Sequence, residues 1–235
     1  MAPHGRVAVP SRRPVAQFLE RHASAEARSP TLAELPPREH VIVIPALGED
    51  VACVDRLPAP GRGYVVLVVN ARERDGEAHA QNAELLAALR SARQRPLGEG
   101  VELCQRSGHD VLLVDRASPG RRLGPRQGVG TARRIGSDIA FALHVHGRVS
   151  SRWIHWTDAD ASLDPDHFSV APQARGPVAL SYQFRHQPSG DDAVDRAHAD
   201  YEAYLRYYVL GLRWAGSPYA HHAIGSTLAC DALAY

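Results

Sequence analysis

The segment WTDADAS (Trp156–Ser162) closes an apolar run, and its Asp158 and Asp160 stand two residues apart. On an extended chain such residues point to one side, so both carboxylates are expected to converge. Two oxygen donors at a strand end suit a hard divalent cation, Mg2+ or Mn2+, whose other positions go to water and substrate phosphates. In open α/β sheets that edge is where ligands bind. Aspartates after a strand also serve as plain turn formers and helix caps, and the pair by itself leaves that reading open. A second feature, RQGVGTARRIG (Arg126–Gly136), comes shortly before it. Gly128 and Gly130 ahead of a helix let backbone approach an anion, while the helix N-terminus with Arg126, Arg133 and Arg134 adds positive charge. The occupant this suits is a phosphate-bearing ligand. The plainer alternative is a glycine turn with solvated arginines, Arg134 pairing with Asp138 across one helical turn.

These residues need strands and helices to hold them. VIVIP (Val41–Pro45), YVVLVVN (Tyr64–Asn70) and DVLLVDR (Asp110–Arg116) are almost continuously apolar, which predicts strands covered on both faces, as in a parallel sheet. RWIHWTD (Arg152–Asp158) reads as a fourth strand and PVALSYQF (Pro177–Phe184) as a fifth. Helical spacing predicts a helix over Asn82–Gln94, with Asn82 as its cap, and another over Gly128–His146, with Ala132, Ile135, Ile139, Ala142 and Leu143 on one face. The alternation predicts an α/β fold with a mostly parallel, Rossmann-like sheet flanked by helices. Residues 1–37, rich in proline and with at most a short helix at Val15–Ala27, are expected to form an arm or an edge attachment. Residues 38–176 then form the ligand-binding region, and 177–235 a partial second region with a tyrosine-rich helix at Asp191–Gly216. Its Tyr201, Tyr204, Tyr207 and Tyr208 read first as a face packed on a sheet or covering the place of a further segment. The alternatives are a stacking surface for a sugar or lipid-linked acceptor, and self-association through exposed rings. His221 and His222, adjacent in sequence, face opposite ways on a strand and do not easily share a metal.

Composition narrows the chemistry. The chain has 235 residues, 44% hydrophobic and 23% charged, which is ordinary globular composition. Its 27 basic and 26 acidic residues nearly cancel, so nucleic-acid binding is not expected. All the basic residues are arginine, which excludes Schiff-base chemistry, a lysine general base and a lysine-containing P-loop. Cys53, Cys104 and Cys230 lack metal or redox spacing and read as reduced core residues. Without an apolar signal core or a membrane-length apolar run, a cytoplasmic protein with no transmembrane segment is expected.

Taken in order, four segments resemble the nucleotide-sugar half of the family 2 glycosyltransferases, which have the GT-A fold. They are VIVIPALGED with Pro45 and Glu49, VVLVVN with Asn70, GVGTARRIG with Gly128, Arg133 and Gly136, and WTDADASLDPDHF with Asp158, Asp160 and Pro165. The resemblance covers about Val41 to Phe168. It implies that Pro45 and Glu49 border a nucleoside pocket, that Asn70 approaches the base, and that Arg133 reaches the nucleotide. Asp158 and Asp160 would hold Mg2+ or Mn2+ on the diphosphate of a nucleotide sugar, by family habit a UDP sugar, for transfer to an acceptor hydroxyl with inversion. Arg134 and Asn70 depart from the commoner Asn and Asp. Inverting members place a carboxylate base beyond the fifth strand, and the acids after Phe184 sit in no such setting, so a chain ending before its base is expected. A non-catalytic donor-binding remnant or partner subunit is therefore the alternative. A haloacid-dehalogenase-type phosphatase and a sugar nucleotidyltransferase rank lower: the first places its Asp-x-Asp on the first strand, and both use a lysine this chain lacks.

Overall fold

A computed structural model of the chain describes residues 12–91, 94–170, 179–221 and 227–235. His222 lies outside them. Eight strands form one sheet: β1 (His40–Ala46), β2 (Gly63–Asn70), β3 (Gln94–Gly98), β4 (Val101–Arg106), β5 (His109–Arg116), β6 (Trp153–Trp156), β7 (Ala179–Ser181) and β8 (Leu228–Asp231). Their order across the sheet is β3-β4-β5-β2-β1-β6-β8-β7. The central β5, β2, β1 and β6 run parallel, and antiparallel pairs close both sides. The fold is thus α/β with a mixed sheet built on a parallel core. Among the described residues no helix is long and apolar enough to cross a membrane.

The continuous apolarity of the central strands follows from cover on both faces. On one face Ile42, Ile44, Val65, Leu67, Val69 and Leu113 pack with Leu85, Leu86 and Leu89 of α3 (Gly76–Arg90). On the other, Val41, Val43, Val66, Val68 and Leu112 pack with Ala132, Ile135, Ile139 and Leu143 of α4 (Val129–Val145). The short α2 (Ala52–Asp55) links β1 to β2, and α5 (His167–Val170) follows β6. Gly136 is what lets α4 sit so close to the sheet. A Cβ there would fall 2.3 Å from Val43 Cγ1 and 3.4 Å from Val68 Cγ2. Alanine in a helix interior gains ~1 kcal/mol over glycine, but forcing a methyl into a packed core costs about 1–3 kcal/mol. Gly136→Ala is expected to lower the urea midpoint, and an unchanged or raised midpoint would refute this packing argument.

Several expectations change. The described part of residues 1–37 is no loose arm: α1 (Arg12–Arg21) and two 3-10 turns lie over α4, and Leu32 and Leu35 are fully buried. Phe18 meets Phe141 and Tyr235 edge-on, while Asp138 accepts bonds from the Ser24 backbone N–H (2.8 Å) and the Tyr235 hydroxyl (2.7 Å). Asp138 is therefore a buried tie between Ser24, Tyr235 and α4, and the ion pair expected with Arg134 is also present but long, at 3.9 Å. Arg134 is exposed and donates to the His22 carbonyl. The α3 helix begins at Gly76, so Asn82 is an interior residue rather than a cap. The tyrosine helix α6 (Asp192–Trp214), capped by Asp191, is not packed on the sheet: Val209 is its one buried residue, and Tyr201, Tyr204, Tyr207 and Tyr208 are exposed.

Candidate functional site

The chain moves outward from β1 through β2 to β5, then returns by α4 to β6 on the other side of β1. The switch point lies between β1 and β6, and their carboxyl ends open the crevice where an α/β sheet binds ligands. Pro45 is buried near the end of β1, in register with Val68. Beyond it Gly48 adopts φ +70°, and a Cβ there would lie 3.0 Å from Gln81 Oε1 and 3.3 Å from Ala78 Cβ. Close approach to α3 and a positive φ both call for glycine.

Asn82 holds this turn. It accepts from the Gly48 N–H (2.9 Å) and donates to the Asn70 carbonyl (3.2 Å). Asn70, itself buried, donates its amide to the Ala46 (2.9 Å) and Val68 (3.2 Å) carbonyls. Its nitrogen is engaged in aligning β1 with β2. Each of these buried amide bonds would leave an unpaired backbone group if removed, which explains asparagines among leucines and valines.

Glu49 follows the turn, half-buried. Its carboxyl is pushed up, first by burial and then by the nearby Asp160 charge, with Asp50 and Asp158 adding to the effect and Arg56 opposing it. That coupling places Glu49, Asp158 and Asp160 in one field. Asp158 and Asp160 do not stand on the extended chain that their spacing suggested. The backbone turns after Asp158, with the Ala161 N–H on the Asp158 carbonyl (3.2 Å) and Ala159 buried. Arg56, at the end of α2, donates to the Ala159 carbonyl and fixes the turn from the β1 side.

Arg133, on α4, donates to Asp158 Oδ1 and makes an ion pair with it. Its helix is tied to β6 by Trp156 Nε1 donating to Ser137 Oγ (2.7 Å), which donates to the Arg133 carbonyl (2.7 Å). Gly128 starts α4 with extended φ, and a Cβ there would meet nothing nearer than Arg72 Nη1 at 4.0 Å. The glycine turn is open rather than sterically required. Arg126 lies exposed on the loop before it.

Thus Glu49, Arg133, Asp158 and Asp160 come together at one edge, joined by Arg56 and Asn82, which spacing alone did not single out. Asn82 left a trace in the sequence, an amide on the apolar face of a helix; Arg56 left none. Among the described residues no three His, Cys, Asp or Glu side chains form a ready metal cage. Asp158 and Asp160 supply the oxygen donors that Mg2+ or Mn2+ takes, the remaining positions going to water and ligand oxygens. A cavity of about 360 Å3 opens beside Glu49 toward Gln81 and Glu84. A larger groove, about 470 Å3, runs between Ser181–Phe184 and α6, lined by Tyr182, Phe184, Glu202, Arg206 and Arg213. Leu228 faces both Trp156 and Ser181, so this groove starts at the same sheet edge, two strand spacings (roughly 10 Å) across.

No protein-family model matches this chain, and no curated protein matches it.

Proposed function

We propose that the chain binds a nucleotide sugar, a UDP sugar in the family it resembles, with Mg2+ or Mn2+ held by Asp158 and Asp160. It then transfers the sugar to an acceptor hydroxyl with inversion. The observation that carries this reading is the meeting of Glu49, Asp158, Asp160 and Arg133 at the switch point between β1 and β6. When bound, the cation stabilises the negative charge of the leaving diphosphate. Arg133, Arg126 and the open first turn of α4 meet the anion, Pro45 and Glu49 border the nucleoside, and Asn70 serves by holding the end of β1. The groove along α6 offers room for the acceptor on the same edge.

A second reading, donor binding without transfer, has its own support. Among the described acids after Phe184, Asp231 is paired with Arg152, Glu202 with His186 and Arg206, Asp195 with Ser189, and Asp191 caps α6. Asp192 and Asp200 are exposed on that helix. Calorimetry with UDP tests the donor site. Binding in Mn2+ that disappears in chelator is expected, because a diphosphate beside three carboxylates is repelled unless a cation bridges them. Equal binding in both would overturn the metal assignment. Transfer at about 1 per second or faster favours the transferase, and metal-dependent binding without turnover favours the second reading.

A further inference from the structure

We infer that Arg133 is a placeholder for the cation: it sits on Asp158 until the site fills, then releases that carboxylate and takes the diphosphate. The site would thereby admit a divalent cation and a diphosphate together and resist either alone. This rests on the donor-site reading above and adds an order of events to it.

The two arginines near the carboxylates differ in what they hold. Arg56 donates to a backbone carbonyl and fixes the turn after Asp158. Arg133 instead donates to Asp158 itself, with both side chains partly open to solvent at 26% and 36%. Its Nε is buried and has no acceptor among the described residues, so the guanidinium keeps a donor that Asp158 leaves unused. A bare cation arriving at Asp158 meets a carboxylate already neutralised by Arg133. A bare diphosphate meets Arg133 already neutralised, with Glu49 and Asp160 beside it. Together they offer an exchange: Asp158 turns to the cation, and the freed guanidinium, Nε included, turns to phosphate oxygens, the geometry in which arginine binds best.

Magnitudes give the two halves opposite signs. An ion pair this exposed is worth at most about fivefold in an equilibrium, so removing Arg133 should improve binding of the cation alone by roughly two- to fivefold. A guanidinium bonded to phosphate is worth about tenfold or more, so the same change should weaken the joint complex by at least about tenfold.

The experiment titrates the intact chain with Mn2+ alone, with UDP alone in chelator, and with UDP in saturating Mn2+. It compares wild type with Arg133→Gln, Arg133→Lys and Arg134→Gln. Arg133→Gln is expected to bind Mn2+ more tightly and UDP–Mn2+ more weakly, which shrinks the synergy between the two ligands. Arg133→Lys keeps the charge and should bind Mn2+ as wild type does. Arg134→Gln, changed at an exposed position, should match wild type throughout. Unchanged or weaker Mn2+ binding in Arg133→Gln, with normal Mn2+-dependent UDP binding in wild type, would overturn the placeholder and leave the donor site standing. Wild type that binds UDP equally well in Mn2+ and chelator would instead overturn the donor site and the placeholder with it.

Discussion

Between pH 7.5 and pH 5 the protein is expected to lose about 4 kcal/mol of stability through His144 and His167, with the buried His155 acting in the same direction. Burial pushes His144 and His167 down to about 4 and His155 well below the ordinary imidazole range. The groups facing them offer little relief. His155 is fully buried among His40, His167, Phe168 and Tyr182, with Nδ1 3.1 Å from the Tyr182 hydroxyl and, among the described residues, no partner for Nε2. The carboxylates of Asp164 and Asp166 act on His167, and a hydrogen bond with the Trp153 backbone and then Asp231 act on His144, each outweighed by desolvation. Folded pKa values lie below unfolded ones, so the unfolded chain binds more protons and stability falls with falling pH. The contribution is complete above the unfolded value of about 6.5 and is lost on the way down to the folded values. At pH 5 His144 and His167 each cost about 1.5 pH units times 1.36 kcal/mol, or ~2 kcal/mol. Two such groups already amount to a large part of the 5–15 kcal/mol typical of a whole domain. Asp55, held at about 2 by Arg106, begins to matter only at more acid pH. Urea midpoints at pH 7.5, 6 and 5 measure the loss. His144→Gln and His167→Gln should each flatten the pH dependence by about one proton, and a midpoint indifferent to pH over this range would refute the account.

What could be read in advance follows burial. The central strands were legible because cover on both faces leaves an unbroken apolar run, as in Val41–Ile44 and Val65–Val69. The β3–β4 hairpin was not, because it lies at the sheet edge, carries Pro96, and buries only Leu97, Val101 and Cys104. Proline is tolerated there because an edge strand needs fewer ladder donors. Leu32 and Leu35 were hidden by the prolines around them, which mark irregular backbone but say nothing of whether it packs. At the candidate site, Arg133, Asp158 and Asp160 stood out by residue type and order, and Glu49 by the family resemblance. How they meet did not follow from spacing. The turn at Asp158–Ala161 is fixed by Arg56 from another segment, and the loop of Glu49 by Asn82 from α3. Both are long-range contacts to which no local period points.

The two aspartates of the site should therefore fail differently when changed. Asp158→Asn and Asp160→Asn are each expected to remove the Mn2+-dependent part of UDP binding. The loss should exceed the roughly 10- to 100-fold that follows when only a metal ligand's supporting partner is changed. Without metal the two part company. Asp160 makes no ion pair within the described site, and its replacement only reduces the negative field at Glu49, so metal-free UDP should bind little better. Asp158→Asn removes a charge and also frees Arg133 from its partner. The freed guanidinium can then hold the diphosphate without a cation, and UDP in chelator should bind more tightly than to wild type, by about tenfold if one charge-assisted hydrogen bond is gained. Folding should survive both changes, because Asp160 is exposed and Asp158 is paired only at a half-open surface, where an ion pair is worth about 0–1 kcal/mol. Adding Arg133→Gln to Asp158→Asn should abolish the metal-free gain. If Asp158→Asn instead weakened UDP binding equally in Mn2+ and in chelator, Asp158 would be shaping the loop rather than holding a cation. The donor site would then have to be built on Glu49 and Asp160.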